Sequence, residues 1–184
     1  TMKYEGYVTT LITDFAIETL KKFDQGKPFC LLYFHKAPHR NWMPDSKHLT
    51  MYDGVDIPMP ETFFDDYQTR SDAARQQDME VINLYNSTDM KIHSTGKEEK
   101  YSGGNEAFRM NAPDNWRRLY NSLTDEQRQV WDAAYEPKNR AFLDANLSGV
   151  ELAKWKYQRY IKDYLRCVAS VDDNIGRLLN YLDE

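Results

Sequence analysis

The feature that most constrains the fold is a single unbroken apolar run, Phe29 to Phe34, which directly follows Pro28. Six consecutive apolar residues with three aromatic rings are typical of a strand that is buried on both faces, as in a parallel sheet. Such a strand needs neighbouring strands, because its backbone donors and acceptors must be paired. The other segments have mostly helical patterns, so we expect an interior slice of an alternating α/β fold.

Helical patterns lie on both sides of this run. The first spans roughly Thr10 to Phe23, where apolar side chains recur at helical spacing. The longest follows a capping-box pattern at Ser148–Glu151 and runs to about Leu182 with one apolar stripe. Between them the sequence predicts shorter helices and one polar insertion loop. The helices are Asp45–Tyr52, Ser71–Tyr85, Thr124–Tyr135 and Pro137–Leu143, and the loop is Asn86–Asn115. The third helix opens with a capping-box pattern at Thr124–Gln127.

Composition narrows the class of protein. The 184 residues, 14% of them aromatic, are enough for one domain with a real core. A formal net charge of −5 disfavours nucleic-acid binding, which needs clustered basic residues. No apolar run approaches the ~20 residues of a membrane span. The polar stretch Thr1–Tyr7 does not have a signal-peptide pattern, which leaves open a removed signal or a longer parent chain. Cys30 and Cys167 are too few for a disulfide framework or a cysteine-rich zinc site.

The best candidate for chemistry is the loop that leaves the predicted strand. In open α/β sheets, ligands bind at the carboxyl ends of strands. The loop carries two cations, two imidazoles and an indole, which can together hold an anion; these are His35, Lys36, His39, Arg40 and Trp42. An ordinary polar loop remains the alternative. A zinc site is disfavoured, because Pro38 prevents His35 and His39 from sharing one helix face.

Other polar or aromatic groups have structural interpretations. Asp65 and Asp66 can bind a metal, although adjacent carboxylates more often cap a turn. Asp172 and Asp173 fit the polar face of the last helix, or a local ion pair with Arg177. Four aromatic side chains are expected in the core rather than in a sugar-binding platform, and Ser102–Asn105 is expected to be a turn. The four are Trp131, Trp155, Tyr157 and Tyr160.

Three stretches resemble the type I sulfatases in order and spacing. Pro28–Pro44, PFCLLYFHKAPHRNWMP, resembles the segment in which a central strand ends in an A-P-H motif. Tyr7–Leu20, YVTTLITDFAIETL, is similar to the helix that precedes that strand in the family. Tyr160–Leu182, YIKDYLRCVASVDDNIGRLLNYL, is similar to the helix that follows. The middle of the chain, about 65–156, resembles a lineage-specific insertion.

The resemblance implies an α/β fold, in which this chain is a helix-rich fragment of an alkaline-phosphatase-like doubly wound sheet with few strands of its own. Residues 1–184 would be a single segment of a larger sulfatase catalytic domain. The implied activity is hydrolysis of sulfate esters by a formylglycine nucleophile with bound Ca²⁺. The implied substrates are sulfated glycans, the nearest branch being the N-acetylglucosamine-6-sulfatase-like one. The implied location is periplasmic or secreted.

The resemblance also assigns roles to the loop. His39 occupies the family position that contacts the sulfate, and an imidazolium there can stabilise charge on a departing oxygen. Lys36 is a lesser catalytic candidate, while Arg40 and Trp42 would lie toward the substrate mouth.

Two family features are absent from the sequence. The nucleophile motif, C-x-P-S-R or S-x-P-S-R, does not occur, and the family's metal ligands lie outside these 184 residues. We therefore expect this segment to be inactive alone. Two alternatives remain: a phosphodiesterase or phosphonate hydrolase of the same superfamily, which the parent's nucleophile motif would reveal, and a non-catalytic helical interaction module.

Overall fold

A computed structural model describes residues 3–24, 26–77, 79–92 and 117–184. Within these ranges the α-helices are α1 (Val8–Leu20), α2 (Asp72–Arg75), α3 (Asp125–Ala145) and α4 (Gly149–Asp183), and residues 117–121 form a further α-helical segment. Short 3-10 helices occupy Ser46–His48, Glu61–Phe64 and Val81–Asn83. The chain divides into two compact units, Thr1–His48 with Asp163–Glu184, and Leu49–Lys162. Within the described ranges, no helix is long and apolar enough to cross a bilayer.

The first unit is built around α1 and the C-terminal part of α4. Helix α1 starts and ends slightly earlier than predicted, and a tight turn closes it, with the amide of Phe23 donating to the Leu20 carbonyl. Ala16, Leu20 and Leu178 form a small buried apolar cluster, against which Leu31 and Tyr33 pack. Burial of apolar surface in this cluster holds the two helices and the segment around residues 31–33 together.

The predicted strand Phe29–Phe34 does not form within the described residues, none of which pairs in a sheet ladder. Leu31 and Tyr33 are half-buried, whereas Phe29, Leu32 and Phe34 are 55%, 73% and 75% exposed. Alternate burial is typical of an extended backbone with one covered face. The physical reason for the difference is that a strand exists only with a partner, and the described segments include no second one.

Helix α3 belongs to the second unit and begins with the predicted capping box. The Gln127 amide donates to Thr124 Oγ1 at 3.3 Å, and the Thr124 amide donates to Gln127 Oε1 at 2.9 Å. The predicted break at Pro137 is wrong, because α3 continues through it to Ala145. Trp131 and Phe142, one on each side of the proline, are both buried, and their packing outweighs the lost hydrogen bond.

The remaining short elements of both units are less regular than the sequence predicts. Of the helix expected over Ser71–Tyr85, only α2 and the 3-10 helix Val81–Asn83 form. Of the helix expected over Asp45–Tyr52, only the 3-10 helix Ser46–His48 forms. In the second unit, the backbone carbonyls of Ile82 and Leu84 accept from the buried Lys156 ammonium. Tertiary contacts with α4 therefore replace the helical hydrogen bonds there. Residues 93–116 lie outside the described ranges. They include most of the predicted insertion loop and the whole of the predicted Ser102–Asn105 turn.

Candidate functional site

The loop that carries the candidate residues follows Phe34 in the first unit. His39 lies at a turn that is closed by its own amide, which donates to the Lys36 carbonyl at 2.9 Å. His39 and Lys36 are exposed, and Arg40 and Trp42 are half-buried. The loop therefore brings an exposed imidazole and an exposed ammonium together on one turn, with the guanidinium and the indole directly after it.

The hydrogen bond of His39 determines which ring nitrogen is available for chemistry. His39 Nδ1 lies 2.5 Å from the Arg40 carbonyl oxygen. Because a carbonyl only accepts, Nδ1 carries the proton in this contact. In the neutral ring Nε2 is then the basic nitrogen, and in the imidazolium it is a second donor. Such an arrangement suits an exchange of one proton with a bound ligand through Nε2.

His35 has a different environment from His39. Its ring packs edge-on against Tyr33, with the centroids 4.5 Å apart, and both ring nitrogens are buried without a hydrogen-bond partner among the described residues. Burial lowers the pKa of His35, because the charged ring is poorly solvated there. His35 is therefore neutral at pH 7. The positive charge with which the loop could bind an anion comes from its neighbours instead.

Both ends of the loop are fixed to α1. Before the loop, Tyr33 Oη and Thr13 Oγ1 are 2.6 Å apart. After it, Tyr7, the residue preceding α1, donates its hydroxyl proton to the Met43 carbonyl at 2.9 Å. The loop is therefore closed by two side-chain hydrogen bonds to one rigid element, an arrangement that can hold His39 in place.

The last helix provides a further attachment. Asp172 and Asp173 are exposed, as expected for its polar face, but the alternative of a local pair with Arg177 is wrong. Arg177 does not pair with the neighbouring carboxylates but with Asp14, at 2.6 Å, and with Asn174. Asp173 instead lies against two residues of the loop end, with Lys47 Nζ at 2.6 Å from its Oδ2 and His48 Nε2 at 3.2 Å from the same oxygen. Sequence reasoning missed His48 and its partners, because 122 to 125 positions separate them and no local pattern links them.

The burial of Tyr7 predicts that the free energy of unfolding depends on pH in the alkaline range. Burial raises the pKa of Tyr7 to about 12. The folded pKa lies above the unfolded one, so this group's contribution to stability is complete below pH 10 and is lost as pH rises toward 12. The loss amounts to about 2–3 kcal/mol. We expect the free energy of unfolding, measured by urea denaturation between pH 8 and 11.5, to fall less steeply in Tyr7→Phe than in wild type.

Tyr120→Phe provides the control for that experiment. Burial, with a hydrogen bond to Asp132, also raises the pKa of Tyr120 to about 12, but Tyr120 lies in the second unit. The Tyr120→Phe variant therefore reports a separate alkaline contribution, from the second unit. Identical alkaline slopes in wild type and Tyr7→Phe would contradict the assignment of Tyr7.

The other candidates have structural contacts. Asp65 accepts the Tyr67 amide at 3.0 Å and pairs with Arg70, and Asp66 accepts the Gln68 amide at 3.0 Å, so both carboxylates stabilise a turn. In the part of the chain that is described, no three His, Cys, Asp or Glu side chains converge as metal ligands. Cys30 is exposed and Cys167 is buried in α4, and neither lies in the nucleophile motif.

The four aromatic candidates belong to the core of the second unit. Trp131 stacks on Tyr135, and Tyr157 packs against Phe63. Trp155 and Tyr160 are half-buried against the apolar cluster of Met90, Ile92 and Phe142. The Arg159 guanidinium lies 4.4 Å from the Tyr135 ring centroid. The interpretation as core residues is confirmed, and these rings are not available as a sugar platform.

Comparisons with known proteins cover the whole chain. The sulfatase family profile matches residues 1–184. The chain is 41% identical, over 181 residues, to an N-acetylglucosamine-6-O-sulfatase of Bacteroides thetaiotaomicron, covering 98% of this chain and 31% of that protein. It also superposes on the solved structure of BT4656 in complex with its substrate D-glucosamine-2-N,6-O-disulfate. That similarity has a TM-score of 0.85 and 40% identity, over 99% of this chain and 35% of the other.

The chain therefore spans about a third of the length of these two relatives. The structural match extends over both units and agrees with the expected fold class: a helix-rich fragment of the alkaline-phosphatase-like sulfatase fold.

Proposed function

Because the chain belongs to the sulfatase family, we propose that it is part of an enzyme that hydrolyses 6-O-sulfate esters of glucosamine-containing glycans. The observation that carries the proposal is the His39 turn, whose exposed imidazole and neighbouring cations have the chemistry to bind a sulfate group. The two relatives support the substrate class, since one is an N-acetylglucosamine-6-O-sulfatase and the other binds a 6-O-sulfated glucosamine. The proposed role is in glycan degradation.

In this proposal His39 acts through Nε2. As a nucleophile from outside this sequence bonds to the sulfur, the ester S–O bond would break and the ester oxygen would leave with the bonding electrons. That oxygen needs a proton, which an imidazolium at Nε2 can donate. Lys36 lies on the same turn and would stabilise negative charge on the sulfate oxygens. Arg40 and Trp42 would contact the sugar at the entrance of the site. The Arg40 carbonyl orients the ring, because it accepts the proton of Nδ1.

The family resemblance implies two groups that the described residues do not fit. A formylglycine nucleophile needs the C/S-x-P-S-R motif, which is absent from the sequence, and Ca²⁺ needs several oxygen ligands, whereas Asp65 and Asp66 accept backbone amides instead. We propose that both groups come from residues outside this sequence. The same resemblance underlies the proposals of a periplasmic or secreted protein and of a branch-specific insertion at 65–156.

The proposed function is tested with the complete polypeptide that contains this sequence. We expect sulfate release from N-acetylglucosamine-6-sulfate, measured by ion chromatography, and none from the 3-O-sulfated isomer. An aryl phosphodiester and an aryl phosphonate monoester serve as matched substrates for the two superfamily alternatives, the phosphodiesterase and the phosphonate hydrolase. Hydrolysis of the phosphodiester alone would replace the proposal with a phosphodiesterase, and binding without any turnover would favour an interaction module.

The 184-residue chain alone is expected to be inactive. It has the proposed imidazole and ammonium, but no nucleophile motif and no convergent oxygen ligands in the described part. We expect no turnover of a chromogenic aryl sulfate by the purified chain and no Ca²⁺ binding by calorimetry at micromolar concentration. Turnover above the buffer rate would contradict this prediction, and the complete polypeptide is the positive control.

A further inference from the structure

The end of the His39 loop is joined to α4 by a buried polar contact. His48 is 8% exposed, and both of its ring nitrogens are engaged. Nδ1 lies 3.1 Å from Ser170 Oγ, and Nε2 lies 3.2 Å from an oxygen of Asp173. Buried polar side chains with every donor and acceptor in use fix geometry, because any displacement leaves a group unpaired.

Ser170 joins two residues of the loop end at once. Its Oγ accepts from the Asp45 amide at 3.4 Å and contacts His48 Nδ1. Oγ also contacts the Arg166 carbonyl at 3.0 Å, within α4. The backbone at residue 45 and the side chain at residue 48 are therefore held on one oxygen atom of a long helix.

The residue types are those of a nucleophilic triad, but the arrangement is not one. In a triad the serine contacts the nitrogen that transfers its proton, and its Oγ must reach the substrate. Here Ser170 is fully buried on α4, and its Oγ has three contacts in the protein. A substrate cannot reach Ser170 Oγ, so the His48, Ser170 and Asp173 side chains have a structural role.

From these contacts we propose that His48 is a positioning residue, which holds the loop in the conformation that places His39; this inference rests on the proposed function. Tyr7 fixes the backbone of Met43, and His48 with Ser170 fixes residues 45–48. His39 lies between these contacts and the Tyr33 hydrogen bond to Thr13. Removing the His48 contact to α4 loosens the loop end beyond Met43, while the Tyr7 hydrogen bond to Met43 remains.

The expected effect is on kcat more than on KM. A displacement of about 1 Å at a reacting group can cost ~10²-fold in rate. Since the Tyr7 contact remains, we expect His48→Ala to lower kcat about tenfold and to change KM less than about twofold. His48→Gln retains a donor and an acceptor on a side chain of similar length and is expected to recover most of the loss.

Lys47→Ala is the matched control. Lys47 neighbours His48 and also binds Asp173, but its side chain is 53% exposed and does not contact Ser170. Exposed ion pairs contribute little to structure. We expect kcat of Lys47→Ala within about twofold of wild type, because the buried contact persists.

The experiment is steady-state desulfation of N-acetylglucosamine-6-sulfate by the complete polypeptide, with thermal melting of each variant. A double-mutant cycle provides the readout that a purely structural residue would not move. If His48 acts through His39, its tenfold effect on kcat shrinks to less than about twofold in the His39→Ala background. Ser170→Ala removes the same contact from the α4 side. It takes the place of His48→Ala in the experiment if that variant does not fold.

The outcomes separate the two proposals. An inactive wild type overturns the proposed function. An active wild type with unchanged kcat in His48→Ala, or in Ser170→Ala where the first variant does not fold, overturns the positioning role. A tenfold loss that persists in the His39→Ala background also overturns it. Loss of kcat in His48→Ala, recovery in His48→Gln and no further loss beside His39→Ala support it.

Discussion

Replacing His39 with alanine in the complete polypeptide is expected to lower kcat by about 10²–10³, because removal of one preorganised donor from developing charge has this cost. The ring is exposed, its Nδ1 is oriented by the Arg40 carbonyl, and its Nε2 is the nitrogen that can exchange a proton. The expected change in the free energy of unfolding is small, within about 0.5 kcal/mol, since no apolar surface is uncovered.

Both quantities are measured on one preparation, by sulfate release and by thermal melting. Glu18→Ala is a suitable control, since Glu18 is exposed on α1 of the same unit and is outside the loop. A melting temperature lowered by several degrees with near-normal kcat would make His39 a structural residue. That result would remove the catalytic assignment and leave the sulfatase family membership unaffected.

Replacing Asp163 with alanine is expected to destabilise the protein by about 3–5 kcal/mol. Asp163 and Arg166 form an ion pair on α4, with Arg166 Nη1 at 2.8 Å from Asp163 Oδ1 and side chains that are 0% and 2% exposed. Without the carboxylate, the buried guanidinium loses this ion-pair partner. The desolvation of that charge is the source of the cost, since burial removes it from water.

The same helix provides a matched control for Asp163. Lys154 and Glu151 pair at 2.9 Å with the same three-residue spacing, but their side chains are 43% and 66% exposed. We expect Glu151→Ala to change the free energy of unfolding by less than about 0.5 kcal/mol. Urea denaturation of both variants measures the difference. Similar losses in the two variants would show that burial is not the source of the effect.

A third variant separates the desolvation cost from the loss of the pair. Replacing both buried residues with apolar ones of similar size, as in Asp163→Leu with Arg166→Met, removes the isolated charge. We expect this double variant to be more stable than Asp163→Ala alone, because apolar replacements of buried ion pairs are often nearly neutral. A double variant less stable than Asp163→Ala would indicate that other partners of Arg166 dominate.

Local sequence patterns were enough to predict three of the helices. These signals are the apolar stripe of α4, the apolar period of α1 and the capping box at Thr124. Each of them involves residues that are only three or four positions apart. The turn that carries His39 was also predictable, because Pro38 and Pro44 exclude regular structure there and the A-P-H motif marked the loop.

The predictions that failed involve long-range competition. Pro137 is a local signal for a helix break, but burial of Trp131 and Phe142 keeps α3 continuous across it. The apolar run Phe29–Phe34 is a local signal for a strand, but a ladder depends on partner strands, which are not among the described segments. In both cases the deciding partners lie outside the local window. Phe142 is buried with Met90 and Ile92, and a ladder at Phe29–Phe34 needs a strand from elsewhere.

The sequence alone determined three of the helices, the loop that carries His39 and the family, since short-range periodicity, turn residues and ordered motifs are written along the chain. Only the tertiary structure decided how that loop is held. Tyr7 reaches Met43 across 36 positions, and Ser170 reaches His48 across 122. These hydrogen bonds depend on how α1, α4 and the loop pack, because a side chain finds a distant partner only after burial has brought both together.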